Sequence, residues 1–290
     1  MSAAGAASIP MFLRSRVFAY LLVACPVSVA PVGASMHQGA ALAVAPGAAA
    51  ELRRAAGAHR LILLGELHGT RESPAIVRQL ATQFADAGPV LVGLEILDTE
   101  QPAIDCYLAS DGSPQARLKL RAGTFWQTPL ASSDGRRNAD VLALMEGLRR
   151  LRHAGRDVAV LAFDGVVDGT GGSQARDAAM AERIRVAFKR MAYGRMLVLA
   201  GNVHAMHHKP GYAPPEMQDP MGSYLAELSP YAINITALGG RYQACIADTC
   251  GPREMHDMGL ASGPRDGDPY DYELVLKRFT IARLVGPGSK

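Results

Sequence analysis

Hydrophobic positions along the chain form short uninterrupted runs, and these alternate with longer segments in which apolar residues recur at helical spacing. The uninterrupted runs occupy residues 61–65, 90–95, 158–164 and 195–201. The segments with helical spacing occupy residues 73–88, 101–121, 138–155 and 173–192. Short apolar runs are typical of strands that are buried on both faces. The alternation predicts an α/β fold with a mostly parallel central sheet and helices on both faces.

The last third of the chain predicts additional strands at the edge of this sheet. Its apolar and aromatic runs occupy residues 231–238, 242–246 and 272–279, and we expect some of these strands to be antiparallel. No internal repeat divides the chain, and 290 residues with 49% hydrophobic content suit one large core. We therefore predict a single domain over residues 51–285.

The first 50 residues differ from the rest because they contain no Asp or Glu. Arg14 and Arg16 directly precede an apolar run at residues 17–25. A basic segment followed by a short apolar run indicates an export signal, and this run is too short to span a bilayer. Residues 1–25 are therefore predicted to direct export, and residues 26–50, rich in Ala, Pro, Gly and Val, to form a flexible tether.

The residues at the end of the apolar run predict a lipid anchor. Leu22-Val23-Ala24-Cys25 matches the lipobox of bacterial lipoproteins, in which Cys25 becomes the lipidated first residue. Cleavage after Ala34 by an ordinary signal peptidase is the alternative. Both alternatives predict an extracytoplasmic protein in the bacterial periplasm or at the outer membrane, with membrane attachment through lipid if Cys25 is modified.

The charge of the chain argues against nucleic-acid binding, and its cysteines predict a disulfide bond. A net charge of +3 does not indicate the strongly basic surface that binds nucleic acid. Cys245 and Cys250 flank a short turn-like segment, and in an oxidising compartment they are predicted to form a disulfide bond.

Acidic and imidazole side chains follow each of the four predicted strands. Glu66 and His68 follow the first strand, Glu95 the second, Asp164 the third, and His204 the fourth. In open parallel sheets, ligands bind beyond the carboxyl ends of the strands, and these ends share one edge. We therefore predict that these five side chains form one site.

Each of these residues also has a structural explanation when it is taken alone. Glu95 could cap a helix, Asp164 could belong to a turn, and Arg176 with Asp177 could form an ion pair at a helix start rather than contact a substrate. Several ionisable groups at the end of an apolar sheet are, however, costly unless they are paired or bound to a metal. Their number therefore favours a functional site.

The same residues resemble the ChaN-like haem-binding uptake family, within the superfamily that includes the Tiki and TraB proteins. Its paired G-x-x-H motifs are similar to residues 65–68 and 201–204, and its strand-end glutamate to Glu95. Its R-D-x-x-M-A helix is similar to residues 176–181, and the likeness covers about residues 55–210. The chain resembles the erythromycin-esterase-like proteins more distantly, because their motif is one residue longer than that at residues 65–68.

The resemblance leaves two functions open, since the superfamily includes both haem or iron binders and metal-dependent proteases. The residues favour hydrolysis of an ester or amide bond in a small-molecule or peptide substrate. In that hypothesis His68, His204 and one or both of Glu66 and Glu95 hold Mn, Co or Zn, and a remaining carboxylate acts as base on bound water. A metal-free version uses His68 as the base, oriented by Glu66 or Glu95.

The competing hypothesis is a haem-binding lipoprotein that serves iron or haem uptake. Haem needs an apolar slot and an axial ligand, for which Tyr212 or His207 are the candidates near the predicted site. Buried carboxylates beside a porphyrin face are costly, so Glu66 and Glu95 argue for the hydrolase.

Overall fold

A computed structural model of the chain describes residues 47–165, 172–246, 249–266 and 269–288. The predicted export segment, Cys25 and the tether as far as residue 46 lie outside the described residues. The strands are β1 Leu61–Glu66, β2 Val90–Leu97, β3 Val158–Asp164, β4 Arg195–Gly201, β5 Tyr231–Ala237, β6 Gly240–Ile246, β7 Thr249–Met255, β8 Gly263–Pro264 and β9 Tyr272–Leu276. The α-helices are α1 Ala48–Ala56, α2 Glu72–Ala85, α3 Gln101–Ala109, α4 Pro114–Leu120, α5 Ala139–His153, α6 Gly172–Lys189 and α7 Asn202–Ala205.

The central sheet has seven strands in the order β3-β2-β4-β1-β5-β9-β8. All neighbours are parallel except the short β8, which is antiparallel to β9 at the edge. This confirms the predicted α/β fold, with a mostly parallel sheet, helices on both faces and additional edge strands near the C-terminus.

The apolar strands are buried on both faces because helices cover both sides of the sheet. In β1, Ile62 and Leu64 pack into the core that includes residues of α1, α2 and α5. Leu61 and Leu63 point to the other face, where α6 and a 3₁₀ segment at Met221–Leu228 cover the sheet. Strands that contact a core on each side need apolar residues at every position, which explains the uninterrupted runs in the sequence.

Two predicted elements differ from the structure. The helix expected over residues 101–121 is interrupted after Ala109, because Gly112 has a φ of 73° and Pro114 starts a new helix, α4, at its first turn. The segment at 242–246 is not an edge strand of the central sheet. It belongs to β6, which pairs with β7 in a separate antiparallel hairpin.

The described fold begins slightly before the expected domain boundary at residue 51. Helix α1 starts at Ala48, and Ala48, Ala49 and Leu52 are buried in the core. The Tyr272 hydroxyl also donates a hydrogen bond of 2.8 Å to Glu51, so α1 is packed against β9. Within the described ranges, no helix is long and apolar enough to cross a membrane.

Candidate active site

The carboxyl ends of β1, β2, β3 and β4 bring the predicted site residues to one edge of the sheet. In the strand registers, Glu66 of β1 lies beside Gly201 of β4, and Asp164 of β3 lies beside the end of β2. Helix α7, which carries His204, follows β4 directly and packs on Gly65, where a Cβ atom would lie 3.0 Å from the Asn202 Cα atom. The lack of a side chain at residue 65 therefore allows α7 to pack close to β1.

One nitrogen of the His68 ring is within hydrogen-bond distance of Glu66, and the other has no hydrogen-bond partner in the part of the chain that the structure describes. Its Nδ1 lies 3.2 Å from Glu66 Oε1, within hydrogen-bond distance. Its Nε2 lies 3.6 Å from Glu95 Oε2, which is too far for a hydrogen bond. A neutral His68 that donates from Nδ1 to Glu66 keeps the lone pair of Nε2 free. The side chain is 19% exposed, so a water molecule can approach this nitrogen.

The electrostatic environment strengthens the basicity of His68. Burial alone would lower the pKa of His68, but the charge of Glu95 and the hydrogen bond and charge of Glu66 outweigh burial and raise it above 6.5. Burial also raises the pKa of Glu66 above its ordinary value, although the hydrogen bond from His68 opposes this. The imidazolium that forms when His68 accepts a proton is thus stabilised by both carboxylates.

Two arginines neutralise the buried carboxylates Glu95 and Asp164. Arg136 Nη1 lies 3.1 Å from Glu95 Oε1 and 2.7 Å from Asp164 Oδ2. Arg176 Nη2 lies 2.6 Å from Glu95 Oε1, and Arg176 Nε lies 2.9 Å from Asp164 Oδ1. Gly201 N donates to Glu95 Oε2 at 2.8 Å. Burial would raise the pKa of Glu95, but the charges of His68, Arg136 and Arg176 hold it well below its usual range.

Two hydrogen bonds fix the orientation of the His204 ring and the roles of its two nitrogens. Arg176 Nη1 lies 3.0 Å from His204 Nε2, and an arginine N–H can only donate, so Nε2 accepts. The proton is therefore on Nδ1, which lies 2.6 Å from Asp177 Oδ1. Asp177 also accepts a 2.8 Å hydrogen bond from Met221 N. The ion pair that the sequence allowed between Arg176 and Asp177 is not formed, because Arg176 turns to the sheet edge and Asp177 to His204.

These contacts do not suit the predicted metal ion. Its proposed ligands Glu95 and His204 are occupied by guanidinium groups, and a cation at this point would have to displace Arg136 and Arg176. Among the residues that the structure describes, no group of three or more His, Cys, Asp or Glu side chains is arranged to hold a metal ion. The metal-free alternative therefore fits the donor set better.

Arg136 is a site residue that the sequence did not predict. It comes from the loop before α5, and that loop contacts the loop after β1 through two glycines with positive φ. A Cβ atom on Gly135 would lie 2.6 Å from Gly69 N, and one on Gly69 would lie 2.3 Å from Gln243 Cβ. Gln243 of the β6–β7 hairpin joins both loops, because its N atom donates to His68 O at 3.3 Å and its Nε2 to Ser133 O at 3.1 Å.

The two candidate haem ligands lie apart from this cluster. Tyr212 is 82% exposed, and His207 Nε2 lies 2.5 Å from Asp271 Oδ2. No hydrogen bond or ion pair links either residue to the cluster in the described part of the chain. Cys245 and Cys250, at the end of the β6–β7 hairpin, form a disulfide bond.

Comparisons with known proteins show likeness in fold. No protein-family model matches the chain, and no curated protein matches its sequence. Among solved structures, a Bacillus cereus protein has a TM-score of 0.58 at 12% identity, covering 81% of this chain and 92% of its own. A succinoglycan biosynthesis protein has a TM-score of 0.58 at 10% identity, covering 80% and 91%.

A third structure with the same fold is a histidine-to-asparagine variant of the erythromycin esterase EreC in its open conformation. Its TM-score is 0.53 at 14% identity, and the match covers 80% of this chain and 79% of the esterase. At these identities the likeness establishes the fold alone.

Proposed function

We propose that this protein is a hydrolase of ester or amide bonds in which His68 activates water without a metal ion. The observation that carries the proposal is the state of the His68 ring. Glu66 holds Nδ1, while Nε2 has no hydrogen-bond partner among the described residues and lies at a partly open sheet edge. A base that is oriented on one side and free on the other is the arrangement that general-base catalysis requires. The likeness in fold to an erythromycin esterase is compatible with this chemistry.

The proposed reaction proceeds through a tetrahedral intermediate. His68 Nε2 takes a proton from water, and the resulting hydroxide adds to the substrate carbonyl carbon. The intermediate then collapses with cleavage of the bond to the leaving group, which receives the proton from His68. Glu66 and Glu95 stabilise the imidazolium between these two transfers, because both carboxylates lie within 3.6 Å of the ring nitrogens.

Arg136 is placed to stabilise the oxyanion of this intermediate. Its Nε binds Asp134 and its Nη1 binds Glu95 and Asp164, whereas Nη2 has no hydrogen-bond partner in the described part of the chain. The side chain is 20% exposed, and it shares the Glu95 carboxylate with His68. A donor fixed in advance by ion pairs stabilises developing charge without reorganisation.

The test is hydrolysis of a panel of activated esters and amides by purified, chelator-treated protein. We expect activity that is lost on His68→Asn, by at least about a hundredfold as is typical for a general base. His208→Asn is the matched control, because His208 is exposed and close in sequence to the site. Metal analysis of the untreated protein accompanies the assay, and it also tests the sequence-based prediction of bound Mn, Co or Zn.

Two results would contradict the proposal. Activity that is abolished by the chelator and restored by a divalent metal would return the prediction to the metal-dependent hydrolase. Wild-type activity in His68→Asn would remove His68 from the reaction altogether.

Membership of the ChaN-like family, export and lipidation of Cys25 remain parts of the same proposal, and mass spectrometry of the mature N-terminus tests the last two.

A further inference from the structure

The edge of the sheet opposite the proposed active site is rich in basic side chains. Helix α1 ends at this edge with Arg53 and Arg54 in its last turn. Arg60 directly precedes β1, and Arg190 directly follows α6. Arg195 is the first residue of β4. The amino ends of two adjacent strands and the ends of two helices thus contribute cations to one surface.

These cations have no acidic partners. None of the five forms an ion pair with a carboxylate within the part of the chain that the structure describes. Arg60 donates to the carbonyl oxygens of Met191 at 2.7 Å and Gly194 at 3.1 Å, and Arg195 donates to that of Gly57 at 2.7 Å. Such bonds fix the position of a guanidinium group but leave its charge uncompensated.

Like charges also approach one another at this edge. The guanidinium carbons of Arg53 and Arg195 lie 5.9 Å and 4.5 Å from the centre of the same Phe84 ring. Burial and, after it, the charge of Arg53 lower the pKa of Arg195. Favourable placement at helix carboxyl ends accounts for Arg53 and Arg54. It does not account for Arg195, which starts a strand beside another cation.

A shallow cleft of about 350 Å³ lies between two of the five arginines, Arg60 and Arg195. Arg60, Arg195 and Phe84 line it together with Tyr193. Tyr193 is 52% exposed, so its ring is accessible at this cleft. Tyrosine combines an apolar ring with a polar hydroxyl and is enriched where proteins meet the headgroup region of a membrane.

We propose that this basic edge docks on an anionic phospholipid surface, with a headgroup phosphate in the cleft between Arg60 and Arg195. Uncompensated cations attract anionic headgroups, and an exposed tyrosine suits the interface. The sheet strands are about 20 Å long at about 3.3 Å per residue, so docking at this edge directs the proposed active site away from the membrane. The proposal does not depend on the activity proposed above.

The test is co-sedimentation with lipid vesicles. The chain that begins at Ser35 contains every described residue and lacks both the export segment and Cys25, so binding cannot come from these. We expect binding to phosphatidylcholine vesicles that contain about a third of phosphatidylglycerol, and none to pure phosphatidylcholine. Binding should disappear when added salt shortens the Debye length from about 10 Å to about 3 Å.

A matched pair of double variants locates the surface. Arg54→Glu with Arg190→Glu should weaken vesicle binding by at least about tenfold, since each basic residue contributes substantially at an anionic surface. Lys277→Glu with Arg278→Glu makes the same charge change at two exposed positions beyond the carboxyl end of β9, and it should bind as wild type. Thermal unfolding confirms that both variants fold.

Three outcomes would overturn the proposal. The first is equal loss of binding in both double variants, which would indicate an effect of net charge alone. The second is equal binding to vesicles with and without phosphatidylglycerol. The third is tighter binding to a nucleic-acid duplex than to anionic vesicles with the same dependence on Arg54 and Arg190, which would assign the edge to a different partner.

Discussion

Replacing Arg176 by methionine removes one of the two cations that neutralise the buried carboxylates of the site. Arg176 binds Asp164 through Nε and Nη2, Glu95 through Nη2 at 2.6 Å, and His204 through Nη1. Asp164 and Glu95 are 2% and 6% exposed. Methionine retains much of the apolar stem, so the variant tests the charge rather than the packing.

The expected loss of stability is about 3 kcal/mol. Removing one partner of a buried ion pair costs about 3–5 kcal/mol, because a buried charge is left uncompensated. The lower end applies here for two reasons. Arg136 stays within 3.1 Å of Glu95 and 2.7 Å of Asp164, and the Arg176 side chain is 29% exposed. For a domain of this size, about 3 kcal/mol corresponds to a decrease in Tm of about 6–12 °C.

The pH dependence distinguishes this cause from a general packing defect. The pKa of Glu95 is held below its ordinary 4.5, so its ionised form stabilises the fold above that pH, and this stabilisation is lost as the pH falls through the lowered pKa. The difference in Tm between wild type and Arg176→Met should therefore be largest near neutral pH and shrink below about 4.5.

Circular dichroism melting curves at several pH values measure this difference. Arg150→Met is the matched control, since Arg150 is 62% exposed and its 2.8 Å pair with Glu146 is worth at most about 1 kcal/mol. A decrease in Tm that is as small as in the control, or one that stays constant down to acidic pH, would refute the assignment of Arg176 as the neutralising cation.

Three further predictions concern the residues around His68. Glu66→Gln should lower the pKa of His68, so the decrease of kcat/KM at acidic pH should occur at a lower pH than in the wild type. An unchanged pH profile would show that Glu66 does not influence the base. Gly201→Ala places a Cβ atom 3.0 Å from His68 Nε2 and should reduce kcat with little change in Tm, whereas full activity would show that Nε2 is not used. Gly69→Ala should lower the free energy of unfolding, measured in urea, by more than about 1 kcal/mol. The reasons are that φ of Gly69 is +67° and that the new Cβ atom would lie 2.3 Å from Gln243 Cβ. An unchanged free energy of unfolding would contradict the close contact between the loops.

The strands and the edge at which the site lies follow from local sequence features. A strand covered on both faces must be apolar at every position, so the runs that became β1, β2, β3 and β4 were visible without tertiary information. Parallel strands share their carboxyl edge, so the sequence predicts that Glu66, Glu95 and Asp164 meet there. These predictions depend on the pattern of apolar residues in each strand and on the direction in which the strands run. Both can be inferred from the sequence.

The position of Arg136 depends instead on contacts between distant loops. Its loop is fixed by the approach of Gly135 to Gly69 and by the bonds of Gln243 to His68 and to the Ser133 carbonyl. None of these contacts produces a recognisable pattern in the sequence, because the residues involved are far apart along the chain. The same limit explains the β6–β7 hairpin, because an isolated strand pattern at 242–246 does not reveal its partner.

The sequence predicts a metal ion beside the site carboxylates, whereas in the structure Arg136 and Arg176 contact them. This difference affects which residue can act as the base. Buried carboxylates need positive charge, and sequence alone offers a metal ion as readily as a guanidinium group. In the structure, Glu95 receives hydrogen bonds from Arg136, Arg176 and Gly201, and its lowered pKa makes it a poor proton acceptor. His204 has its Nε2 lone pair engaged by Arg176. Of the proposed site residues, His68 therefore combines a raised pKa, partial exposure and a lone pair that no described residue engages. In the proposed reaction, proton abstraction from water thus belongs to this imidazole rather than to a carboxylate.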